Sequence, residues 1–306
     1  MEIGESVLLA GGTGLVGDRL CQILLQNGYR VMILSRKKFQ NGNIPVYEWD
    51  IDKGTIDENA ILRADYVVNL AGAGIADARW TAERKKLITE SRTKSAALLL
   101  ATFKKLNHFP KAYLSAAAIG FYGNRADEIL DEESSAGKGF LSESCIAWEN
   151  AIQTVADAGI RTVAYRTGIV LSTEGGALAE TIKPLRFGLA SYFGNGKQYY
   201  SWIHIDDLCN MFLRGIEDET FSGTYNAVAP NPVSNKEFTK ILKHCYPRFS
   251  ILVPVPSFVM RLILGEMADV VLTSSIVSSA KIEQENFVFQ YPELAPALKD
   301  LLDREI

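Results

Sequence analysis

The sequence is short of the residues on which metal and thiol chemistry depend. Its 306 residues include four cysteines (Cys21, Cys145, Cys209, Cys245) and three histidines. No two cysteines form a CxxC pair, and so sparse a set argues against a zinc site and a disulfide framework. It fits a reducing, cytoplasmic setting. No run of about 18 apolar residues occurs, so no membrane span is expected. The start MEIGESVLLAGG has neither a basic segment nor a long apolar core, so no signal peptide is expected. There is no basic block and the net charge is −4, which argues against nucleic acid as a partner.

What is present is ordinary for a soluble globular chain: 47% hydrophobic and 22% charged residues, enough length for two average domains or one large α/β unit with an extension. The first half alternates short apolar runs with helical periods. Ser6–Ala10, Tyr29–Ser35, Val46–Trp49, Tyr66–Ala71, Lys111–Ala116 and Arg161–Arg166 read as buried strands. Leu15–Asn27, Ala82–Leu106 and the stretch GFLSESCIAWENA (Gly139–Ala151) read as helices. This order predicts an α/β fold, a doubly wound Rossmann-type parallel sheet over residues 1–171. Ligands on such a sheet lie at the carboxyl ends of its strands. Residues 172–306 read as a smaller, interleaved substrate lobe, with the capping box SNKE at Ser234–Glu237 and apolar helices ending near Ile306.

LLAGGTGLVGDRL places three glycines between the first strand and the first helix. Gly11 permits a sharp turn, Gly14 lets backbone approach a pyrophosphate, and Gly17 permits close packing of helix on strand. Thr13, Leu15 and Val16 share that turn, and the helix N-terminus faces the anion. In an NAD site, an acidic residue about 20 positions past the glycines grips the ribose 2′-hydroxyl. Here the second strand ends Ser35–Arg36–Lys37–Lys38. A guanidinium and a hydroxyl suit a 2′-phosphate, so the expected cofactor is NADP(H). Trp49 and Asp50 end the third strand where an adenine can lie. Asn69, Leu70, Ala71 and Gly72 end the fourth, where small residues let the chain pass a cofactor ribose. Each is equally readable as a turn that ends a strand.

GGTGLVG, NLAG, Tyr122–Gly123, RTG (Arg166–Gly168) and WIHIDDL together resemble an extended short-chain dehydrogenase/reductase, of the NAD(P)-dependent epimerase/dehydratase superfamily. Arg79–Trp80, Ser91–Arg92, SAAAIGFYG, CIAWENA, RTGIVLSTEGGAL, GNGKQYYSWIHIDDL and LGEMA are similar to one atypical branch, the so-called epimerase family proteins, which end in a domain of unknown function, here about 251–298. The resemblance implies NADP(H) on a Rossmann sheet, with Ser115 and Arg166 added to the cofactor site. It also implies a catalytic tyrosine, a lysine four residues later and a strand-end serine or threonine. A phenol near pKa 10 needs a nearby cation to act as a base at neutral pH. Aligned on Trp148–Glu149, the chain carries Leu141 in place of the tyrosine and Cys145 in place of the lysine. Ala117 or Ala118 falls at the serine position. The usual proton relay is therefore missing.

Tyr122 is the remaining candidate for proton transfer, or else an aromatic wall. Cys145 reads as a nucleophile or a small buried residue, and His204 as a residue ordering its loop. Lys197 meets an anionic substrate or solvent. Arg79, Trp80, Tyr122, Leu141, Cys145, Lys197 and Trp202 are expected to form a pocket for a small, partly planar or anionic molecule. Three readings stand: an NADP(H)-dependent oxidoreductase without the Tyr-xxx-Lys relay, a sugar-nucleotide epimerase, and a cofactor-binding sensor or scaffold without turnover. A homodimer contact through the C-terminal segment is a further expectation.

Overall fold

The computed structural model describes residues 4–39 and 41–304; the expected helix end at Ile306 lies outside them. The chain runs β1 (Ser6–Ala10), α1 (Leu15–Gln26), β2 (Arg30–Ser35), β3 (Val46–Asp50), β4 (Thr55–Ile56), α2 (Glu58–Leu62), β5 (Tyr66–Asn69), α3 (Ala82–Leu106) and β6 (Ala112–Ala118). It continues through β7 (Ile129–Leu130), α4 (Phe140–Ala156), β8 (Thr162–Thr167), β9 (Ile169–Leu171), α5 (Gly176–Leu185), β10 (Leu189–Phe193), β11 (Tyr199–Tyr200), β12 (Trp202–His204), α6 (Ile205–Glu217) and β13 (Gly223–Ala227). The last part holds β14 (Val233–Ser234), α7 (Asn235–Cys245), β15 (Ile251–Val255), α8 (Ser257–Leu264), α9 (Asp269–Leu272), β16 (Ile276–Val277), α10 (Ala280–Gln284) and α11 (Leu294–Asp303).

Eight strands form one sheet in the order β13-β8-β6-β5-β1-β2-β3-β4. All neighbours in it are parallel except β4, which pairs antiparallel with β3 at the edge. Strand β1 is buried throughout, and its residues divide by alternation. Val7 and Leu9 join the core under α1 and α6, while Leu8 and Ala10 join the core under α3 and α4. Each such aliphatic side chain contributes about 1.5–3 kcal/mol on burial, which is why the strands read as continuous apolar runs. Strand order reverses between β1 and β5, the usual place for a ligand on an open α/β sheet.

The sheet does not stop at residue 171. Gly223–Ala227 returns from the second half of the chain and pairs in parallel with β8. The C-terminal helix is likewise tied to the first helix. Asp206, at the start of α6, receives Arg19 from α1 at 2.6 Å and Arg304, just after α11, at 2.6 Å. Burial by itself would raise the Asp206 pKa, but hydrogen bonds from those two arginines pull it down to about 2.

His204 is fully buried beside this cluster and stacks on Tyr291 with ring centroids 3.9 Å apart. Its Nδ1 accepts from the Asp206 backbone N–H, which leaves the proton on Nε2 facing Asp300 at 3.2 Å. Burial lowers its pKa from 6.5 to about 4. Between those values the unfolded chain binds the proton and the folded chain does not, so stability falls as pH falls through that window. Unfolding free energy measured by urea melts is expected to drop by about 3 kcal/mol from pH 6.5 to 4. His204→Asn, which can keep the helix cap, should flatten that slope; an unchanged slope would exclude this histidine as its source.

Candidate functional site

The first turn of α1 is built as an anion cradle. Gly11 has φ +85°, and a Cβ on it would sit 2.8 Å from the Leu70 carbonyl carbon, so the β1 and β5 loops cross only because this residue is glycine. A Cβ on Gly17 would overlap the Gly11 carbonyl oxygen and come within 2.7 Å of the Gly12 Cα. Gly14 caps the helix with no side-chain hydrogen bond, leaving the first-turn N–H groups to face outward. Thr13 and Gly14 are exposed beside them, and Leu15 and Val16 follow, partly buried. At the end of β2, Ser35 is partly buried and its Oγ accepts from Lys37 N–H. Arg36 is exposed and makes no hydrogen bond or ion pair among the described residues. These features fit a dinucleotide with its pyrophosphate on α1 and a 2′-phosphate by Arg36.

Among the other expected cofactor contacts, Trp49, Ser115 and Arg166 turn out to be committed inside the protein. Trp49 is 3% exposed, packed in the core under the sheet, and offers no face to an adenine. Asp50 turns to Lys53 at 2.9 Å and accepts from the Asp52 and Lys53 N–H groups. Asn69 is buried: its amide donates to Ser95 and Tyr113 and its carbonyl accepts from Ala71 N–H, so it shapes the loop of Leu70, Ala71 and Gly72 from beneath. Ser115 is buried within β6, its hydroxyl donating to the Ala116 carbonyl. Arg166 gives Nε and Nη2 to the Glu149 carboxylate at 2.8 Å each and Nη1 to the Tyr122 hydroxyl and the Glu132 carbonyl. Every nitrogen of its guanidinium is committed inside the protein.

The same hub disposes of Tyr122. It is fully buried, its hydroxyl donates to Asn226 Oδ1 at 2.7 Å, and burial pushes its pKa up to about 12 against the pull of Arg166. A phenol so held neither reaches a substrate nor serves as a base at neutral pH. Cys145 is buried against Gly120, and burial pushes its thiol up to about 12, so it is no nucleophile. Trp202 is fully buried with Nε1 on the Asn231 carbonyl. Arg79 instead caps α8 through the Leu262 and Ile263 carbonyls, and Lys197 is exposed outside the pocket.

The pocket itself is a cavity of about 590 Å³ at the carboxyl ends of β6 and β8, roofed by residues 266–275. Of the expected lining, Trp80 and Leu141 are there. Trp80 meets Phe140 edge-on at 4.9 Å, and Lys85 lies 5.4 Å from the centre of the Phe140 ring while pairing with Glu266 from the roof. Lys85, Lys138, Phe140, Tyr199, Tyr200, Glu266 and Asp269 are lining residues that sequence reasoning missed. The tract KQYYSW drew attention to its ends, Lys197 and Trp202, whereas the tyrosines between them are the residues at the cavity.

A parallel Rossmann sheet with a glycine cradle at its switch point defines a dinucleotide-binding protein. The chain belongs to the NAD dependent epimerase/dehydratase family, whose model matches residues 7–227, and residues 255–301 match a domain of unknown function, DUF1731. It is 34% identical over 293 residues to epimerase family protein ML0860 of Mycobacterium leprae, covering 95% of this chain and 94% of that one. It is 33% identical over 300 residues to epimerase family protein YfhF of Bacillus subtilis, covering 97% and 98%. Among solved structures, human epimerase family protein SDR39U1 (isoform 2) with NADPH superposes with a TM-score of 0.87 at 30% identity, over 97% of this chain and 99% of that one. A UDP-N-acetylglucosamine 4-epimerase of Bacillus cereus (TM-score 0.78, 15% identity, covering 97% of this chain and 98% of that one) shares the fold.

Proposed function

We propose that the protein is an NADP(H)-dependent oxidoreductase for a small, partly planar molecule, working without the tyrosine–lysine relay of its superfamily. The observation that carries this reading is a glycine cradle after β1 and an aromatic-walled cavity at the ends of β6 and β8, both at the carboxyl edge of one sheet, with the relay residues gone from that cavity. NADPH in the human relative and the free Arg36 side chain support the phosphorylated cofactor. Bound in the cradle, the dinucleotide supplies or accepts a hydride. The protein's share is orientation, exclusion of water and a proton. Six titratable side chains line the cavity, and four are tied: Lys85 to Glu266, Asp269 to Arg261, and the Tyr200 hydroxyl to the Val271 carbonyl. The tips of Lys138 and Tyr199 make no hydrogen bond or ion pair among the described residues, so these two are the available proton carriers.

The test is NADPH oxidation followed by absorbance against a panel of aromatic carbonyls and quinones. Turnover is expected, and removing the working proton donor by Tyr199→Phe or Lys138→Met should slow it about 100-fold. Neither change having an effect would move the proton source to water. Arg36→Ala should weaken NADPH binding by about tenfold or more while leaving NADH unchanged, since only the 2′-phosphate is lost as a partner. Equal effects on both cofactors would exclude the 2′-phosphate contact. The second reading is a cofactor-binding protein without turnover, favoured by the burial of Tyr122 and Cys145. It predicts an NADPH-dependent thermal shift and no oxidation with any acceptor.

A further inference from the structure

One inward-facing cation has no role in the site as described so far. Arg92 lies on α3 beside the loop that leaves β5. Its Nη1 donates to the Ala73 carbonyl at 3.0 Å and the Ile88 carbonyl at 2.8 Å, and its guanidinium lies over the Trp148 ring, 4.8 Å from the centre. Among the described residues its Nε and Nη2 meet no acceptor and no carboxylate pairs with it. Three other arginines pair with a carboxylate, Arg166 with Glu149, Arg19 with Asp206 and Arg84 with Asp77, whereas Arg161 spends its guanidinium on the carbonyls of Gly215, Ile216, Asp218 and Phe221. Burial pulls the Arg92 pKa down from its usual value, yet a guanidinium keeps its charge. A charge held this way without a counter-charge is costly, and its retention points to a partner that arrives with a ligand.

The position of the guanidinium says which ligand. A Cβ on Gly72 would lie 2.9 Å from its Cζ and 3.2 Å from its Nε. Gly72 is exposed, so it is a missing side chain that leaves Arg92 open toward the end of β5, next to the switch point at β1. Cys145 of α4, which stands where the superfamily has its lysine, feels both Arg92 and Arg166 as cations, but Arg166 is already neutralised by Glu149. The helix that lost an ammonium is thus served by a guanidinium from its neighbour.

We propose that Arg92 is the fixed cation of the nicotinamide half of the cofactor site, delivered by α3 in place of the absent lysine, and that it makes the site prefer reduced over oxidised dinucleotide. The inference rests on the NADP(H) reading above. Its electrostatic reason is simple. The oxidised nicotinamide ring is positively charged and the reduced ring is neutral, so an uncompensated cation beside the ring repels only the former. Arg84, whose charge also acts on Arg92, has the same sign.

The experiment is calorimetric titration of the full chain with NADPH, NADP+ and 2′-phospho-ADP-ribose, which has no nicotinamide. The native protein should bind NADPH about tenfold or more tighter than NADP+, a size set by one unscreened charge. Arg92→Met should bring the two within about threefold while leaving 2′-phospho-ADP-ribose unchanged, and Arg92→Lys should keep the preference. Equal binding of NADPH and NADP+ by the native protein overturns the proposal, and that measurement stands even where the methionine variant does not fold. So does an equal loss for all three ligands in Arg92→Met, the mark of a residue that only clamps the Ala73 loop, or a lysine variant that behaves like methionine. Binding of 2′-phospho-ADP-ribose with either outcome upholds the cofactor reading independently; binding of none of the three sinks both.

Discussion

Arg166→Met is expected to lower the unfolding free energy by about 3–5 kcal/mol, the range for removing one partner of a buried ion pair. The arginine is 5% exposed and holds three elements at once: Glu149 of α4 through two parallel hydrogen bonds, the Tyr122 hydroxyl after β6, and the Glu132 carbonyl. It also lies 3.7 Å from the centre of the Phe121 ring. Methionine fills much of the volume but leaves the Glu149 carboxylate, partly buried, with no counter-charge. Urea melts read the effect directly. The double variant Arg166→Met with Glu149→Leu should recover most of the loss, because both charges then go together. A single-variant loss under about 1 kcal/mol would instead place this pair with weak surface bridges. A large loss would show that Arg166 acts as one partner of a buried ion pair beneath the cavity floor, where Ile119 and Gly120 lie.

Gly17→Val should abolish measurable NADPH binding, a loss of about 100-fold or more, while the protein remains folded with a stability loss of about 1–3 kcal/mol. The valine Cβ would meet the Gly11 carbonyl oxygen and, at 2.7 and 2.9 Å, the Cα and carbonyl carbon of Gly12. Those atoms are backbone and cannot rotate away, so α1 must lift off β1 and the cradle opens. The helix keeps its other anchors, Arg19 on Asp206 and its packing on α6, which is why unfolding is not expected. Gly14→Ala is the control. Its Cβ would have only the Gly11 carbonyl oxygen nearby, at 3.5 Å, so binding should change by less than about tenfold. Equal effects at both positions would mean that helix–strand packing does not govern the site.

The contrast between these two residues shows what was readable along the chain. Gly17 acts within a strand–turn–helix unit of about a dozen residues, and its reason is local backbone geometry. The glycine spacing therefore disclosed its role, and apolar runs and helical periods placed β1, α1, α3 and α4 close to where they lie. Arg166 also stood in a recognisable motif, yet its motif carried no information on which partner it would meet. Glu149 is 17 residues away and Tyr122 is 44 away, and those two consumed the guanidinium that the motif offered to a cofactor. Trp49 and Trp202 failed for a related reason: an aromatic near a strand end reads the same whether it points to a ligand or into the core.

By itself the sequence determined the class of fold, the glycine turn that opens α1 and the basic end of β2, since each rests on residue type at short, fixed spacing, and its resemblance to the superfamily exposed the loss of the tyrosine–lysine relay. The tertiary structure alone decided that β13 completes the sheet from the second half of the chain, that Glu266 and Asp269 of the C-terminal segment roof the cavity, and that Arg92 of α3 lies over Trp148 of α4. These are meetings of residues brought together by packing across the sheet, and pairwise distance across a fold is not written in the order of the chain.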